Sequence, residues 1–341
     1  MRYFLISVAH RNHNGGLIEM YEGFLTGEPM DRIRAMNLMR YMASDECTDA
    51  FRAAVLSVLR VRGVTEEEMI GFYDAMRVVD RATDSSDIVG TGGDMAHTIN
   101  VSTASAIVAG SLGIKISKFG NRSASGSHGS ADFMTEAGYV FPRTIDEAAA
   151  RLSRSNFVFL YAPDFLKEFA LFANVRRRLG FPTVLNFLGP ILNPLSPMRR
   201  VIGTSDESFM DLYAGIAKRS GITAMIIHSA DGMDEISPFS RTRIVSVDGS
   251  VNEIFVEARS IVGKIASSSV VSSDPKRIFE LTLSAIRGEN IDGSKFVAIN
   301  TAPLLVMNGL ASNLEEGYAI AFDQVMNGKA AEFLEMIVHD R

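Results

Sequence analysis

Between Asp49 and Arg60 the apolar residues recur at spacings of three and four, the period of one buried face of an α-helix. Thr65-Glu66-Glu67-Glu68 opens another helix. Thr65 stands at the N-cap, and Glu68 occupies the capping-box position three residues on. Phe72, Met76 and Val79 continue one apolar face. No strand pattern interrupts this stretch, so residues 1–82 are expected to form a small helical domain.

The character changes after Asp84-Ser85-Ser86. Asp87-Ile88-Val89 is a short strand candidate that runs into glycines. A helix of small residues follows from Val101 to Leu112, and then Ile114 to Lys118 alternates like a strand. Phe157–Leu160, Thr183–Leu185, Met225–Ile227 and Ile244–Val247 are further strand candidates, and Asp164 to Arg178 is a helix candidate. The last part of the chain returns to helix. Strands alternating with helices predict an α/β domain with a mostly parallel central sheet, over residues 83–341. The helix within 164–182 is expected to join the helical domain. A site in the cleft between the two domains follows, because ligands of such sheets lie beyond the carboxyl ends of the strands.

Composition adds limits. The chain has 341 residues, of which 47% are hydrophobic and 22% charged, as expected of an ordinary globular protein. Its length favours two domains over one core. A formal net charge of −6 argues against a broad nucleic-acid footprint, although Arg176-Arg177-Arg178 is a local basic cluster. The single cysteine, Cys47, excludes an intramolecular disulfide and a multi-cysteine zinc site, and reads as a buried thiol. The N-terminal apolar run is short and is followed by His10, Arg11 and His13, a poor fit to a signal peptide. No uncharged apolar run approaches the ~18 residues of a membrane span. A cytoplasmic protein without membrane partners is the expectation.

The chemistry begins at Gly90-Thr91-Gly92-Gly93-Asp94, a glycine loop between a strand and a helix. Glycines let the backbone approach a phosphate, and the next helix offers unpaired N–H groups at its positive end. Asn100-Val101-Ser102-Thr103 opens that helix. Its hydroxyls suit ordinary caps, and beside a phosphate loop they also suit phosphate or Mg²⁺. Lys118 and Arg122 flank Asn121 after the next strand, two cations and an amide of use to an anion. Ser123 to Asp132 is rich in hydroxyls and reads either as a solvated linker or as a lid. Asp234-Glu235 follows a strand and an Asp-Gly turn. Adjacent carboxylates there suit Mg²⁺, which prefers oxygen ligands and substrate phosphates, though acidic pairs are also common on solvated surfaces. His97 reads as a loop residue.

Taken in order, these pieces resemble the anthranilate phosphoribosyltransferases. The matching motifs are Gly90-Thr-Gly-Gly-Asp94, Asn100-Val-Ser-Thr103, Lys118-x-Gly-Asn-Arg122, Ser125-Gly126 with Gly129-Ser-Ala-Asp132, Val175-Arg176 with Leu179-Gly180, Asn186-x-Leu-Gly-Pro190 with Asn193-Pro194, and Asp231-Gly-Met-Asp-Glu-Ile-Ser237. The stretch from Leu59 through Met76 is similar to the family's helical domain.

The resemblance implies transfer of the phosphoribosyl group of phosphoribosyl pyrophosphate (PRPP) to anthranilate, within tryptophan biosynthesis. It also implies two Mg²⁺ per subunit and a homodimer. Gly90, Thr91, Gly92, Gly93 and Asp94 would line the PRPP pocket. Asn100, Ser102, Thr103 and Lys118 would hold its phosphates, and Ser130 would lie on a closing loop. Ser102 would approach one Mg²⁺, and Asp234 and Glu235 would bind the second. Gly90, Asn121 and Arg176 would contact the acceptor, with Arg176 on its carboxylate. Lys118, Asp234 and Glu235 would act electrostatically, and no acid–base residue is implied. Two family histidines are replaced, at Phe119 and at Leu166, the start of Leu166-Lys-Glu-Phe169. The acceptor therefore stays open to a different aromatic or base, as does a pyrimidine nucleoside phosphorylase or a nucleic-acid-binding relative.

Overall fold

The computed structural model describes residues 24, 27–78, 82–92, 96–122 and 128–340. Three helices come first: α1 (Arg32–Met42), α2 (Asp49–Arg62) and α3 (Glu66–Met76). The expected box caps α3. The Thr65 hydroxyl accepts from the Glu68 amide at 3.3 Å, and the Glu68 carboxylate accepts from the Thr65 amide at 2.9 Å. Glu68 is fully buried and also accepts from the Met30 amide (2.9 Å) and pairs with Arg62 (2.7 Å). Its charge is thus buried with its partners, as the cost of desolvation requires. Phe72 and Met76 are buried as expected, while Val79 lies outside the described residues. Cys47 is buried, and that burial pushes its thiol above the ordinary value.

The α/β part carries β1 (Thr83–Gly90), α4 (Val101–Ser111), β2 (Ile116–Gly120), α5 (Ser130–Glu136), α6 (Ile145–Ser155), β3 (Phe157–Tyr161), α7 (Ala170–Leu179), β4 (Pro197–Gly203), α8 (Met210–Ser220), β5 (Thr223–Ser229), β6 (Thr242–Asp248) and β7 (Ser250–Val256). Helices α9 (Pro275–Ile286), α10 (Ile291–Met307), α11 (Leu314–Met326) and α12 (Lys329–His339) close the chain. The seven strands form one sheet in the order β3-β2-β1-β4-β5-β6-β7. β3, β2, β1, β4 and β5 pair in parallel, β6 pairs antiparallel with β5, and β7 pairs antiparallel with β6.

Alternate residues of each strand serve two cores, because successive side chains of a strand point to opposite faces. Phe157, Phe159, Val201 and Ile227 pack with α4, α5 and α9–α12. Val158, Leu160, Ile202 and Ile226 pack on the other face with α6–α8 and the helices α1–α3. This is the two-sided burial expected of a parallel sheet. The helical N-terminus and the mostly parallel α/β sheet match the fold class expected above.

Several local expectations change. Thr183–Leu185 is not a strand. The short helix Val184–Leu188 starts there, and the Asn186 side-chain oxygen accepts from the Thr183 amide at 3.1 Å. The Asp164–Arg178 helix is broken: a turn at Ala162–Phe165 and a 3-10 turn at Lys167–Phe169 precede α7, and Leu166, at φ −113° and ψ 64°, interrupts it. Strand β2 begins at Ile116 rather than Ile114, and β1 already includes Asp84, Ser85 and Ser86. Strands β4 and β7 were not expected.

Helices α1 and α3 cross closely at Gly71, where a Cβ would overlap the Arg32 carbonyl oxygen and crowd Ala35. Gly71→Ala is therefore expected to destabilise the folded chain by about 1–3 kcal/mol, the usual range for overpacking. Urea unfolding measures this, and an unchanged midpoint would contradict the close crossing.

Candidate active site

After β1 the chain runs outward to β2 and β3, then returns to β4 on the other side of β1. The order reverses between β1 and β4, and such a switch point opens a crevice at the carboxyl ends of the strands. Gly90 and Gly203 end these two strands as register partners. The Thr91 amide donates to the Gly203 carbonyl at 3.0 Å, and the Thr91 hydroxyl accepts from the Ser205 amide at 3.1 Å. Gly92, at φ 65°, takes the left-handed turn that favours glycine. Gly93 and Asp94 lie outside the described residues.

The loop between β5 and β6 folds back over both glycines. Asp234 Oδ2 accepts from the Gly92 amide at 2.7 Å. A Cβ at Gly90 would overlap the Asp234 carboxylate, and a Cβ at Gly203 would overlap the Asp234 carbonyl oxygen. Three further contacts pin the loop. The Ser229 hydroxyl donates to Glu235 O (2.6 Å), the Ile236 amide donates to Asn300 Oδ1 (2.8 Å), and Asn300 Nδ2 returns a bond to Ile236 O (3.1 Å). Glu235 Oε2 accepts from the Thr98 hydroxyl at 3.3 Å.

The Asp234 carboxylate thus sits over the glycine loop, and that of its neighbour Glu235 is bonded to Thr98. Among the described residues no cluster of three or more His, Cys, Asp or Glu forms a metal cage. The all-oxygen pair still fits Mg²⁺, which usually takes one or two carboxylates together with substrate phosphates and water.

Helix α4 begins beside this loop. Asn100 precedes it but does not cap it; its amide side chain is bonded to His128 instead. Ser102 is half-buried in the first turn. Thr103 is fully buried, and its hydroxyl has no hydrogen-bond partner among the described residues. Such an orphan is uncommon in a folded interior.

Lys118 is 2% exposed, and its ammonium donates to the Phe119 carbonyl at 3.0 Å. Beside it lies Asp87, fully buried, which accepts from the Phe119 amide (3.2 Å) and from Asn193 Nδ2 (2.8 Å). Asn193 Nδ2 also donates to Ser117 O at 2.6 Å. Burial pushes Lys118 below its ordinary value, while the charges of Asp87 and Asp234 hold it up. Asp87, Thr98 and Asn300 were not picked out as site residues from the sequence. The one available signal was a carboxylate, Asp87, at the start of the short strand candidate Asp87-Ile88-Val89 that runs into the glycine loop.

Ser130 opens α5 and donates to the Asn121 carbonyl at 3.1 Å, so the two residues meet. The Asn121 side chain accepts from the Arg122 amide (2.8 Å), and Arg122 pairs with Asp132 (2.8 Å). Residues 123–127, the first half of the lid candidate, lie outside the described residues.

Arg176 is on α7, which packs on α2 through an Asn174–Asp49 hydrogen bond of 2.7 Å and Arg52 over the Phe172 ring. The Arg176 guanidinium is half-buried and has no hydrogen bond or ion pair among the described residues; burial lowers it from its ordinary value. Phe119 and Leu166 are buried in the core between the sheet and the helices, so here both fill apolar space. Phe169 is half-buried and packs on Phe172.

Residues 82–331 match the family model described as the glycosyl transferase family a/b domain, and residues 21–78 match its helical bundle domain. The anthranilate phosphoribosyltransferase of Thermoplasma acidophilum is 70% identical over 322 residues, covering 94% of this chain and all of that protein. The one from Picrophilus torridus is 39% identical, covering 86% of this chain and 92% of its own. Among solved structures, that of the Thermus thermophilus anthranilate phosphoribosyltransferase superposes with a TM-score of 0.84 at 28% identity, covering 94% of this chain and 98% of the other. The Saccharomyces cerevisiae enzyme in complex with PRPP and Mg gives 0.82 at 25% identity, with 96% and 98% covered.

Gly203→Ala is expected to lift the Asp234 loop from the strand ends. Mg²⁺-dependent PRPP binding, read by calorimetry, should fall by an order of magnitude or more, about 1.4 kcal/mol per tenfold. Unchanged affinity would show that the loop does not depend on the bare strand end.

Proposed function

The chain belongs to the anthranilate phosphoribosyltransferase family, and on that premise we propose that it transfers the phosphoribosyl group of PRPP to anthranilate, releasing pyrophosphate, as a step of tryptophan biosynthesis. One observation carries the reading: at the switch point the Asp234 carboxylate lies on Gly90 and the Asp234 backbone carbonyl on Gly203, with a carboxylate oxygen bonded to the Gly92 amide. A phosphate-binding backbone and a metal-binding carboxylate are thereby built as one unit.

In this reading Gly90 to Asp94 line the PRPP pocket, and Ser102, Thr103, Asn100 and Lys118 take its phosphates. Asp234 and Glu235 hold one Mg²⁺, and Ser102 approaches a second. Bound Mg²⁺ supplies positive charge to the departing pyrophosphate. The Lys118 ammonium adds fixed charge in a site shielded from water, where it is worth more than in solution. The unpaired Thr103 hydroxyl gains a phosphate oxygen as its missing partner. Ser130, tied to Asn121, brings the start of α5 to the same pocket.

The acceptor enters against Gly90, Asn121 and Arg176. Arg176 is partly desolvated by burial and has no carboxylate partner among the described residues, so an anthranilate carboxylate would give it a pairing. An aromatic amine is already nucleophilic, so holding it in line with the ribose carbon supplies much of the rate. No general base is called for. The reading also includes a division of the chain near residue 82, a homodimer and a cytoplasmic setting. Among the described residues no helix is long and apolar enough to cross a membrane.

Two sets of variants test the assignments, with turnover followed as loss of anthranilate fluorescence. Asp234→Asn with Glu235→Gln should lower kcat by at least about a hundredfold, as removal of several kcal/mol of charge stabilisation requires. Near-normal turnover in that double variant rules out the metal role. Arg176→Gln should raise the anthranilate KM by roughly ten- to a hundredfold while leaving the PRPP KM within about twofold, the scale of one charged hydrogen-bonded pair. Equal rises in both KM values would remove Arg176 from the acceptor side.

A further inference from the structure

His128 is not among the residues assigned to the site above, yet it controls one of them. It is 7% exposed and sits two residues before Ser130. Asn100 Nδ2 donates to the His128 carbonyl at 2.9 Å, and Asn100 Oδ1 lies 2.9 Å from His128 Nδ1. A carbonyl only accepts, so the first bond fixes which end of the Asn100 amide is which. Oδ1 must then accept, and His128 Nδ1 must carry the proton. The other ring nitrogen, Nε2, faces Glu136 Oε1 at 3.2 Å. The ring also packs edge-on against Phe279, 6.1 Å between centroids. On the backbone side the Asn100 amide donates to Thr282 Oγ1 at 3.0 Å. The Asn100 side chain and backbone amide are therefore bonded to groups outside α4, and among the described residues Nδ2 makes one hydrogen bond, which leaves its second N–H for a phosphate.

We propose that His128 is a positioning residue for PRPP: through Nδ1–H it fixes the Asn100 side chain, and with it the first turn of α4, in the orientation that receives a phosphate. The inference rests on the reading of Asn100 as a PRPP-binding residue. It adds a tie between the helix that receives the phosphate and the segment that leads into Ser130.

The geometry gives a test that a merely structural role would not pass. Asparagine at 128 places an amide N–H where the δ nitrogen stands, whereas glutamine places it nearer the ε position facing Glu136. Mg²⁺–PRPP dissociation constants by calorimetry and separate KM values for PRPP and anthranilate are measured for wild type, His128→Asn, His128→Gln, His128→Leu and Asn100→Ala. His128→Leu and His128→Gln should weaken PRPP about three- to tenfold, the worth of one hydrogen bond, with the anthranilate KM within about twofold. His128→Asn should stay near wild type, and adding His128→Leu to Asn100→Ala should cost little more. If His128→Leu fails to fold, the comparison of asparagine with glutamine decides. Unchanged PRPP affinity in His128→Leu, equal behaviour of the asparagine and glutamine variants, or multiplicative effects with Asn100→Ala overturns the proposal alone. Failure of the wild type to bind Mg²⁺–PRPP overturns the phosphate-site reading together with it.

Discussion

The site depends on two missing side chains. Strands β1 and β4 end in register at Gly90 and Gly203, and the Asp234 loop lies directly on both. Any Cβ there would push the carboxylate away from the Gly92 amide. The loop is also pinned from behind by Ser229 and Asn300, so displacing it would strain bonds on two sides. Sheet topology supplies the crevice; the glycines let a charged loop close it to hydrogen-bond distance.

Charge is arranged around that closure. Lys118 is held inside the sheet by Phe119 O, with Asp87 and Asp234 near enough to oppose its desolvation. Asp87 is in turn fixed by the Phe119 amide and Asn193. A buried ammonium is costly by itself, and the nearby negative charges of Asp87 and Asp234 lower that cost. On α7, Arg176 has no such partner among the described residues, which leaves a carboxylate-bearing ligand to complete it. The two cations therefore differ: Lys118 lies near carboxylates of the fold, and Arg176 has no carboxylate partner among the described residues.

The sequence was most legible where local chemistry decides structure. The Thr65–Glu68 box, the apolar face of α3 and the parallel strands β1, β2, β3 and β5 could be read from spacing and cap residues. Strand β4 was hidden because Arg199 and Arg200 break its apolar pattern; Arg200 is nonetheless buried, donating to the Pro197 and Ile191 carbonyls. Strand β7 was hidden because six of its seven residues are exposed at the sheet edge. Thr183–Leu185 is β-branched and apolar like a strand, but the Asn186 side chain turns it into a helix start. At the site, the motifs named the glycine loop, Lys118 and the acidic pair. Asn300 and His128 act through bonds 64 and 28 residues away in sequence, and nothing local in the chain marks them.

Phe119 and Leu166, which replace two family histidines, are core residues here, so the proposed acceptor contacts are Arg176, Asn121 and Gly90. The most direct measurement is anthranilate fluorescence with the wild-type chain, PRPP and Mg²⁺, alongside pyrophosphate release. The account predicts that anthranilate disappears mole for mole with pyrophosphate, and that omitting Mg²⁺ stops both. Tight Mg²⁺-dependent PRPP binding with no loss of anthranilate would contradict it.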